Sequence, residues 1–376
     1  MTLTILHADS ERGWRGGERQ ALWLAVELAH RGHASIVAAR AGEPLAPRAA
    51  AAGLEVVECN PASELDLRAV WRLRRVLGAR GVELVHAHTA HAVAIAALAT
   101  MGTRVPLVVS RRVDFPLRRN PGTRWKYGRA AMIVAVSHAV ERVLIASGVG
   151  ANRIRVVPDG VDVHRAARPA PPALLASLGV APGAPLVVQV AQLVGHKDPV
   201  NFVRAMGRAR ERVPNVVGLL VGDGPLRTHA EAEARALGLE AAVRFTGFRT
   251  DADSLLAAAD VACLSSREEG MGSVLLDALV FGVPVAATSA GGIPEVVTHG
   301  ATGLLAVPAN PAALGDAIAT LLGDAAMRSR FAANARARAS DFSVERMTDR
   351  TIAVYDEVLA AASGARTSRA SSSSSP

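Results

Sequence analysis

Two carboxylates and two glycines stand close together in one segment of the chain, SSREEGMGSVLLDALVFGVPVAATSAGGIPEVV. Glu269 and Asp277 are eight positions apart, and Gly270 and Gly272 follow shortly after the first of them. Carboxylates accept charge-assisted hydrogen bonds from hydroxyl groups, each worth roughly 1.5–3 kcal/mol. Glycines let the backbone approach a ligand closely, and a helix that begins at Ser273 directs N–H groups toward an anion. These residues are therefore suited to a ligand that carries both hydroxyl groups and negative charge.

Two further glycine turns complete the pattern of this segment. Gly282-Val283-Pro284-Val285 leads into a buried strand, and Gly291-Gly292-Ile293-Pro294-Glu295 opens the next helix. Together these features resemble the donor-binding signature of the retaining nucleotide-sugar glycosyltransferases of family 4, which have the GT-B fold. The resemblance implies that Glu269 contacts the donor sugar and Asp277 the ribose, and that the donor also meets Gly270, Met271, Gly272 and Ser273. Family members usually carry Glu where this chain has Asp277, so the ribose contact needs a backbone shift or a bridging water.

A positive charge for the donor diphosphate is expected in the loop VAQLVGHKD, which follows the first strand of the second half. By the resemblance, Lys197 is the lysine that neutralises the diphosphate. Gln192 stands where the family usually has arginine; it donates a hydrogen bond but adds no charge. Arg111 or Arg112, in the first half of the chain, is our candidate for the missing cation.

Other glycine-containing loops resemble family motifs more weakly. Gly16 and Gly17, in RGGER, match the first-domain loop where glycines let a phosphate or an acceptor approach a helix N-terminus. Gly222, in VGDGP, and Phe248, in TGF, match loops at the sheet end near the nucleobase. Phe248 is expected either to pack on the base or to belong to the core.

Three histidines in HAHTAH admit more than one interpretation. His86 and His88 share one face of a strand at period two, so a metal site is conceivable. No acidic or cysteine cluster accompanies them, and core positions or, for His88, an acceptor contact are the alternatives; we predict no metal. The histidine that many family members carry after the next strand is absent from SRRVDFP, and Asp114 is our candidate for orienting the acceptor hydroxyl or taking its proton.

The alternation of short apolar strands with helices predicts an α/β protein of two doubly wound, Rossmann-like domains that face each other across a cleft. We assign residues 1–165 to an acceptor-side domain, 166–185 to a proline-rich linker and 186–342 to the donor domain. Residues 343–362 are expected to form a helix that packs back on the first domain, and 363–376 a disordered tail. The predicted strands are Leu3–His7, Ser35–Ala38, Val56–Glu58, Glu83–Ala87, Leu107–Ser110, Met132–Val136, Arg155–Val157, Leu186–Ala191, Val216–Val221, Val243–Thr246, Val261–Ser265, Val283–Ala287 and Gly303–Ala306.

Composition and charge indicate the cellular compartment of the protein and the kinds of partner that it could bind. The 376 residues contain two cysteines, far apart, which fits a reducing cytosol, and the longest apolar run is too short to span a bilayer. Residues 104–129 carry eight basic side chains against Asp114 and supply nearly all of the net charge of +8. A solvated basic face, nucleic acid, an anionic substrate and anionic lipid are all compatible with such a run. The interleaved Phe115, Trp125 and Tyr127 favour the surface of a membrane.

The sequence therefore predicts a cytoplasmic glycosyltransferase that is peripheral on the inner face of the membrane. By the resemblance, it transfers sugar from a UDP- or GDP-sugar to a glycan or lipid-linked acceptor of surface-polysaccharide or lipopolysaccharide synthesis, with retention and without a metal or other cofactor. Two alternatives stay open, namely a nucleotide-sugar epimerase or hydrolase of the same fold, and a non-catalytic binding protein. A dinucleotide-dependent dehydrogenase is disfavoured, because no Gly-x-Gly-x-x-Gly follows the first strand.

Overall fold

The computed structural model describes the backbone of residues 2–372 and the side chains of residues 2–363. The chain forms two compact units. The first comprises Met1–Gly160 together with the segment from Val344, and the second comprises Val161–Ser343. The proline-rich segment that was predicted as a linker, residues 166–185, lies within the second unit.

Each unit contains one parallel sheet. The first sheet has seven strands in the order β3-β2-β1-β4-β5-β6-β7, and the second has six in the order β10-β9-β8-β11-β12-β13. The strands are β1 (Thr4–Ala8), β2 (Ala34–Ala39), β3 (Glu55–Glu58), β4 (Leu84–Ala87), β5 (Leu107–Arg111), β6 (Met132–Ala135), β7 (Ile154–Val156), β8 (Leu186–Val190), β9 (Val217–Val221), β10 (Val243–Gly247), β11 (Val261–Leu264), β12 (Val285–Thr288) and β13 (Gly303–Ala306).

Helices connect the strands and cover the sheets. They are α1 (Gly16–His30), α2 (Leu45–Ala51), α3 (Leu67–Ala79), α4 (Ala90–Ala99), α5 (Pro121–Gly128), α6 (His138–Ala146), α7 (Pro172–Ser177), α8 (Pro199–Arg210), α9 (Arg227–Ala236), α10 (Ala252–Ala257), α11 (Ser273–Phe281), α12 (Ile293–Val296), α13 (Pro311–Gly323), α14 (Ala325–Ala339) and α15 (Val344–Ser372). The predicted α/β class with two parallel sheets is thus confirmed, and each of the thirteen predicted strands is present within two residues of its predicted bounds.

Strand order reverses at one point in each sheet, and these points locate the candidate site. In the first sheet β1 lies between β2 and β4, and in the second β8 lies between β9 and β11. The connections after β1 and β8 therefore leave in the direction opposite to those after β4 and β11, which opens a crevice beyond the strand ends. Doubly wound sheets bind their ligands in this crevice.

The C-terminal helix α15 belongs to the first unit. Tyr355 is fully buried and packs with Leu24, Leu28 and Val108 in that unit's core. The helix was expected to end near residue 361, but it continues to Ser372. Alanine and arginine in this stretch have high helix propensity, and extending an existing helix avoids the cost of nucleation. The last part of the predicted disordered tail, residues 373–376, lies outside the described residues.

Candidate active site

A buried polar network joins the two loops that flank the crevice of the second unit. Gln189, fully buried on β8, donates to Ser265 Oγ and accepts from the Ser265 N–H, both at 3.0 Å. Ser265 Oγ in turn lies 3.0 Å from the Lys197 carbonyl and 2.9 Å from that of Asp198. Asn201 donates to the Ser265 carbonyl at 3.2 Å. Because the side chains of Gln189, Ser265 and Asn201 are buried, breaking the network is costly, and the network fixes the β8 loop against the end of β11.

The network brings together the two residues with the strongest predicted roles. Lys197 closes the short 3-10 turn Gly195–Lys197, and its ammonium forms an ion pair with the Glu269 carboxylate. The same carboxylate accepts a bond from Ser266 Oγ at 3.1 Å, and the Gly292 N–H donates to the Glu269 carbonyl at 2.9 Å. Glu269 is 8% exposed, so its charge acts in a medium of low dielectric, where its interactions are strong.

The N-terminus of α11 lies beside Glu269 and forms the third part of the candidate site, after Lys197 and Glu269. Gly272 precedes the helix at φ 81°, a left-handed conformation that side chains rarely adopt. A Cβ there would also lie 3.2 Å from side-chain atoms of Leu264 and Leu275. Ser273 begins the helix, as predicted, and Gly270 and Met271 are buried in the turn before it. Together, the positive end of a helix dipole, an ammonium and a carboxylate can hold an anion beside a hydroxylated group.

Asp277 is engaged by a residue that sequence analysis did not single out. Its carboxylate, 2% exposed, lies 2.6 Å from Arg165 Nη2, and Arg165 Nη1 lies 2.9 Å from Asp253. The guanidinium also lies 4.7 Å from the ring centroid of Phe281. Asp277 thus acts in this structure as the counter-ion of Arg165, and the ribose contact stays a prediction.

We expect Arg165→Ala to lower the free energy of unfolding by about 3 kcal/mol, because it removes the counter-charge of a buried carboxylate. The cost is below the full value for a buried pair, since the Arg165 side chain is 23% exposed. The double variant Arg165→Ala/Asp277→Asn should recover most of the loss in urea unfolding. Additive losses in the double variant would show that the pair does not stabilise the unit.

The remaining predicted donor-binding residues lie near strand ends. The structure gives one of them a reason that does not involve a ligand, and the others are exposed. At Gly222, φ is 138° and a Cβ would lie 2.0 Å from the Ala191 carbonyl oxygen. The close approach of these two backbone segments therefore requires glycine here, whether or not a ligand binds. Gln192 is exposed. Phe248 is 69% exposed, which rules out the core position and leaves packing on a nucleobase as its predicted role.

In the first unit, the loops after β1 and β4 also meet at the strand-order reversal. The Ser10 N–H donates to Thr89 Oγ1 at 3.2 Å, and the two hydroxyls lie 3.1 Å apart. Gly16 and Gly17 open α1, and Glu18 accepts from the Arg15 N–H at 2.8 Å, in the capping arrangement typical of a helix start. A Cβ at Gly17 would meet no atom within 4 Å, so this glycine leaves open space at the helix N-terminus.

Asp9, which follows β1, is a buried acid that sequence analysis missed. It is 3% exposed, its Oδ1 accepts from the Glu11 N–H at 2.8 Å, and its buried Oδ2 has no hydrogen-bond partner among the residues that the structure describes. Burial, reinforced by the nearby Glu18 charge, raises the pKa of Asp9 to about 7, against the hydrogen bond from Glu11 and the charge of Arg112. The charged form is therefore the less stable one in the folded state.

The raised pKa of Asp9 predicts how the stability of the variant Asp9→Asn, compared with wild type, changes with pH. Between about pH 4 and pH 7 the unfolded chain releases the Asp9 proton while the folded chain retains it, so wild-type stability falls as pH rises. Asparagine keeps the Oδ1 acceptor and does not titrate. The variant should gain up to about 4 kcal/mol over wild type at pH 8 and little at pH 4, as measured by urea unfolding. An equal difference at both pH values would contradict the assignment.

The first unit contains a buried cluster of three histidines. His7, His86 and His88 could bring one ligand atom each within 4.8 Å of the others, whereas His91, the third histidine of HAHTAH, is exposed. His86, however, bonds Tyr355 Oη at 2.6 Å and Ser110 Oγ at 2.8 Å, which occupies both ring nitrogens.

His88 bonds His7 at 3.1 Å and lies 3.4 Å from Arg112 Nη1. Burial lowers the pKa of His7 to about 3, and burial aided by neighbouring positive charge lowers the pKa of His88 well below its usual value. Neutral rings that already bond one another, beside a guanidinium, suit hydrogen bonding better than a divalent cation. We therefore interpret the cluster as hydrogen-bonded and not metal-binding, with His86 as a link between the first sheet and Tyr355 of α15.

The basic segment 104–129 is not one continuous surface. Arg112 forms an ion pair with the buried Asp159 at 3.0 Å, Arg111 donates to the Phe115 carbonyl at 2.6 Å, and Lys126, 7% exposed, pairs with Glu64 at 2.7 Å. Of its aromatic residues, Tyr127 is buried, Phe115 is half-buried and Trp125 is 39% exposed. The expected mixture of cations and rings therefore faces solvent only in part, because several of these side chains satisfy groups inside the unit.

Two family models together match most of the chain. Residues 14–165 match the model of Glycosyltransferase Family 4, and residues 173–338 match that of Glycosyl transferases group 1. The chain belongs to glycosyltransferase family 4. The loops after β4, β8 and β11 lie within these matched regions, whereas Asp9 and Ser10, directly after β1, precede the first of them.

Two curated relatives each share about a third of their aligned residues with this chain. D-inositol 3-phosphate glycosyltransferase of Nocardia farcinica is 34% identical over 296 residues, which cover 76% of this chain and 63% of that protein. The lipopolysaccharide core biosynthesis glycosyltransferase LpsD of Rhizobium meliloti is 34% identical over 195 residues, 52% of this chain and 56% of that protein. This chain therefore spans only about three-fifths of the length of these relatives.

Solved structures extend the likeness to nearly the whole chain. HepE of Anabaena, crystallised with UDP and glucose, matches with a TM-score of 0.83 and 25% identity, over 94% of this chain and 100% of HepE. The glycosyltransferase fold is thus shared across both units. Within the described residues, no helix is both long and apolar enough to span a membrane.

Proposed function

We propose that this chain is a retaining glycosyltransferase that moves a sugar from a UDP- or GDP-sugar to a glycan or lipid-linked acceptor in cell-surface polysaccharide or lipopolysaccharide synthesis. The observation that carries the proposal is the Lys197–Glu269 pair in front of the α11 N-terminus, at the strand-order reversal of the second sheet. The complexes of HepE with UDP and glucose and with UDP-glucose support the donor class. The name of LpsD supports the acceptor class.

In the proposed reaction, the bond between the anomeric carbon and the β-phosphate oxygen breaks, and the acceptor oxygen bonds to the carbon on the same face. Lys197 and the first N–H groups of α11 stabilise the negative charge that develops on the diphosphate. Glu269 positions the sugar through its hydroxyl groups. On the acceptor side, we propose that Asp114 orients the attacking hydroxyl or takes its proton, with His88 as an acceptor contact.

The proposed reaction requires no metal and no cofactor, because the ammonium and the helix N-terminus supply the positive charge that a cation would otherwise provide. Arg111 or Arg112 was our candidate for the charge lost at Gln192, and we now propose Arg111, because the Asp159 carboxylate already neutralises Arg112. We place the enzyme in the cytoplasm, at the inner face of an anionic membrane, and not on nucleic acid.

The test is diphosphate release from UDP-, GDP- and ADP-sugars, with and without a lipid-extract acceptor. Release that depends on acceptor, with an α-linked product from an α-linked donor, is the expected result. Release without acceptor would favour the epimerase or hydrolase, and binding without any release would favour the non-catalytic alternative.

A further inference from the structure

Three large apolar side chains are exposed within seven residues at the start of α3. Leu65 is 72% exposed, Leu67 73% and Trp71 64%. Single exposed apolar residues are ordinary, but a cluster of three marks a surface that meets something less polar than water.

The exposed side chains lie on a helix whose opposite face is well packed against the unit. Ala69, Leu73 and Leu77 recur at helical spacing and are buried against the unit. The Asp66 carboxylate caps the helix by accepting from the N–H groups of Arg68 and Ala69. Leu67 and Trp71, four residues apart, therefore lie together on the face that the packing leaves outward.

Arginines are interleaved with these apolar side chains. Arg68, Arg72 and Arg75 are exposed, and the Arg75 guanidinium lies 5.7 Å from the Trp71 ring centroid. A depression of about 650 Å³ adjoins them; its lining includes Leu67, Arg68, Trp71 and Arg72. The surface thus presents exposed apolar side chains and guanidinium groups next to each other.

A second exposed ring lies on the neighbouring helix. Lys126 of α5 pairs with Glu64, directly before Leu65, at 2.7 Å and donates to the Ala90 carbonyl at the start of α4 at 3.2 Å. This contact fixes α5, with the partly exposed Trp125, next to the start of the α3 surface. The basic side chains that precede or accompany Trp125 and are exposed are Arg118, Arg119 and Arg124.

We propose that this α3 surface, formed by Leu65, Leu67, Trp71, Arg68, Arg72 and Arg75, docks on an anionic phospholipid bilayer, with Trp125 at its border. Tryptophan and leucine side chains enter the boundary between headgroups and acyl chains, and the adjacent guanidinium groups bind lipid phosphates. Arginine and tryptophan also occur in protein interfaces, so the observation that favours a bilayer is the match between these guanidinium groups and the negative charge of lipid phosphates. This inference rests on the membrane location proposed above and assigns it to residues outside the basic segment 104–129.

The experiment is sedimentation of the full chain with vesicles of phosphatidylglycerol and phosphatidylcholine, compared with phosphatidylcholine alone. We expect binding to the anionic vesicles that weakens at high salt. Leu65→Gln/Leu67→Gln/Trp71→Gln and, separately, Arg68→Gln/Arg72→Gln/Arg75→Gln should each weaken binding by about tenfold or more. The matched controls in the second unit, Leu237→Gln and Arg235→Gln, should bind like wild type; Leu237 is 49% exposed.

Circular dichroism melting shows whether each triple variant is folded, and the sedimentation readout does not depend on turnover. An inactive protein that still binds vesicles through α3 would therefore overturn the proposed function alone. Equal binding by folded triple variants and wild type would overturn the α3 surface, as would wild type that stays unbound or binds neutral vesicles equally well. A dimer that the apolar triple variant dissolves, without vesicle binding by wild type, would assign the surface to self-association instead.

Discussion

Replacing Glu269 by glutamine is expected to lower donor turnover by about 10²–10³-fold, the loss typical of removing one preorganised transition-state contact. Glutamine preserves size but loses the charge that makes the carboxylate a strong acceptor for sugar hydroxyls. It also removes the charge that faces the Lys197 ammonium, while the amide oxygen of glutamine can still accept a hydrogen bond from that ammonium. The measurement is kcat/KM for acceptor-dependent diphosphate release.

The adjacent residue provides a matched control for this variant. Glu268 has the same side chain as Glu269 but is exposed, so Glu268→Gln changes the net charge equally without reaching the site. We expect this control to keep turnover within about twofold, as exposed substitutions usually do. Equal activity of Glu269→Gln and Glu268→Gln would remove Glu269 from the mechanism.

Lys197→Met is expected to be the second large effect. Methionine retains most of the side-chain length and removes the charge, so the diphosphate loses a contact worth roughly 2–5 kcal/mol if desolvated. That loss corresponds to about 30-fold to several-thousand-fold weaker donor binding. Inhibition by free nucleoside diphosphate measures it without requiring turnover, and an unchanged inhibition constant would contradict the role.

The double variant Lys197→Met/Glu269→Gln separates a direct role of the lysine from its role as a counter-ion. If Lys197 mainly neutralises Glu269, the double variant should be less impaired than the sum of the single changes. If both residues contact the donor, as we propose, turnover should be lost at least as fully as in the worse single variant. Circular dichroism melts of all three variants exclude misfolding as the cause.

The fold was predictable because parallel strands buried on both faces read as short apolar runs. The runs LVVQV and VGLLV are examples, and their lengths and flanking turns excluded helices. The bounds of α11 were equally readable, since Gly272 and Gly282 flank it and both have left-handed φ angles. The end of α15 could not be predicted from the sequence. A Ser-rich segment that continues a packed helix has nearly the same composition as a Ser-rich segment that follows the end of a helix and is disordered.

At the site, spacing identified the two loops but not what holds them together. Lys197 and Glu269 were predicted separately, and the structure brings them into an ion pair. Gln189 carried a usable signal, as the one polar residue in an apolar strand. Arg165 carried none, because 112 positions separate it from Asp277 and no local pattern links them. Long-range polar contacts of this kind depend on the packing of the whole unit.

The most direct test of the donor site is calorimetric titration of wild type, Lys197→Met and Glu269→Gln with the nucleoside diphosphate of the active donor and with a non-transferable analogue of its sugar. We predict that Lys197→Met weakens binding of both ligands by about 30-fold or more. Glu269→Gln should leave the diphosphate within about threefold of wild type and remove the additional affinity that the sugar confers. Binding of the diphosphate to Lys197→Met with wild-type affinity would contradict the assignment of this site to the donor.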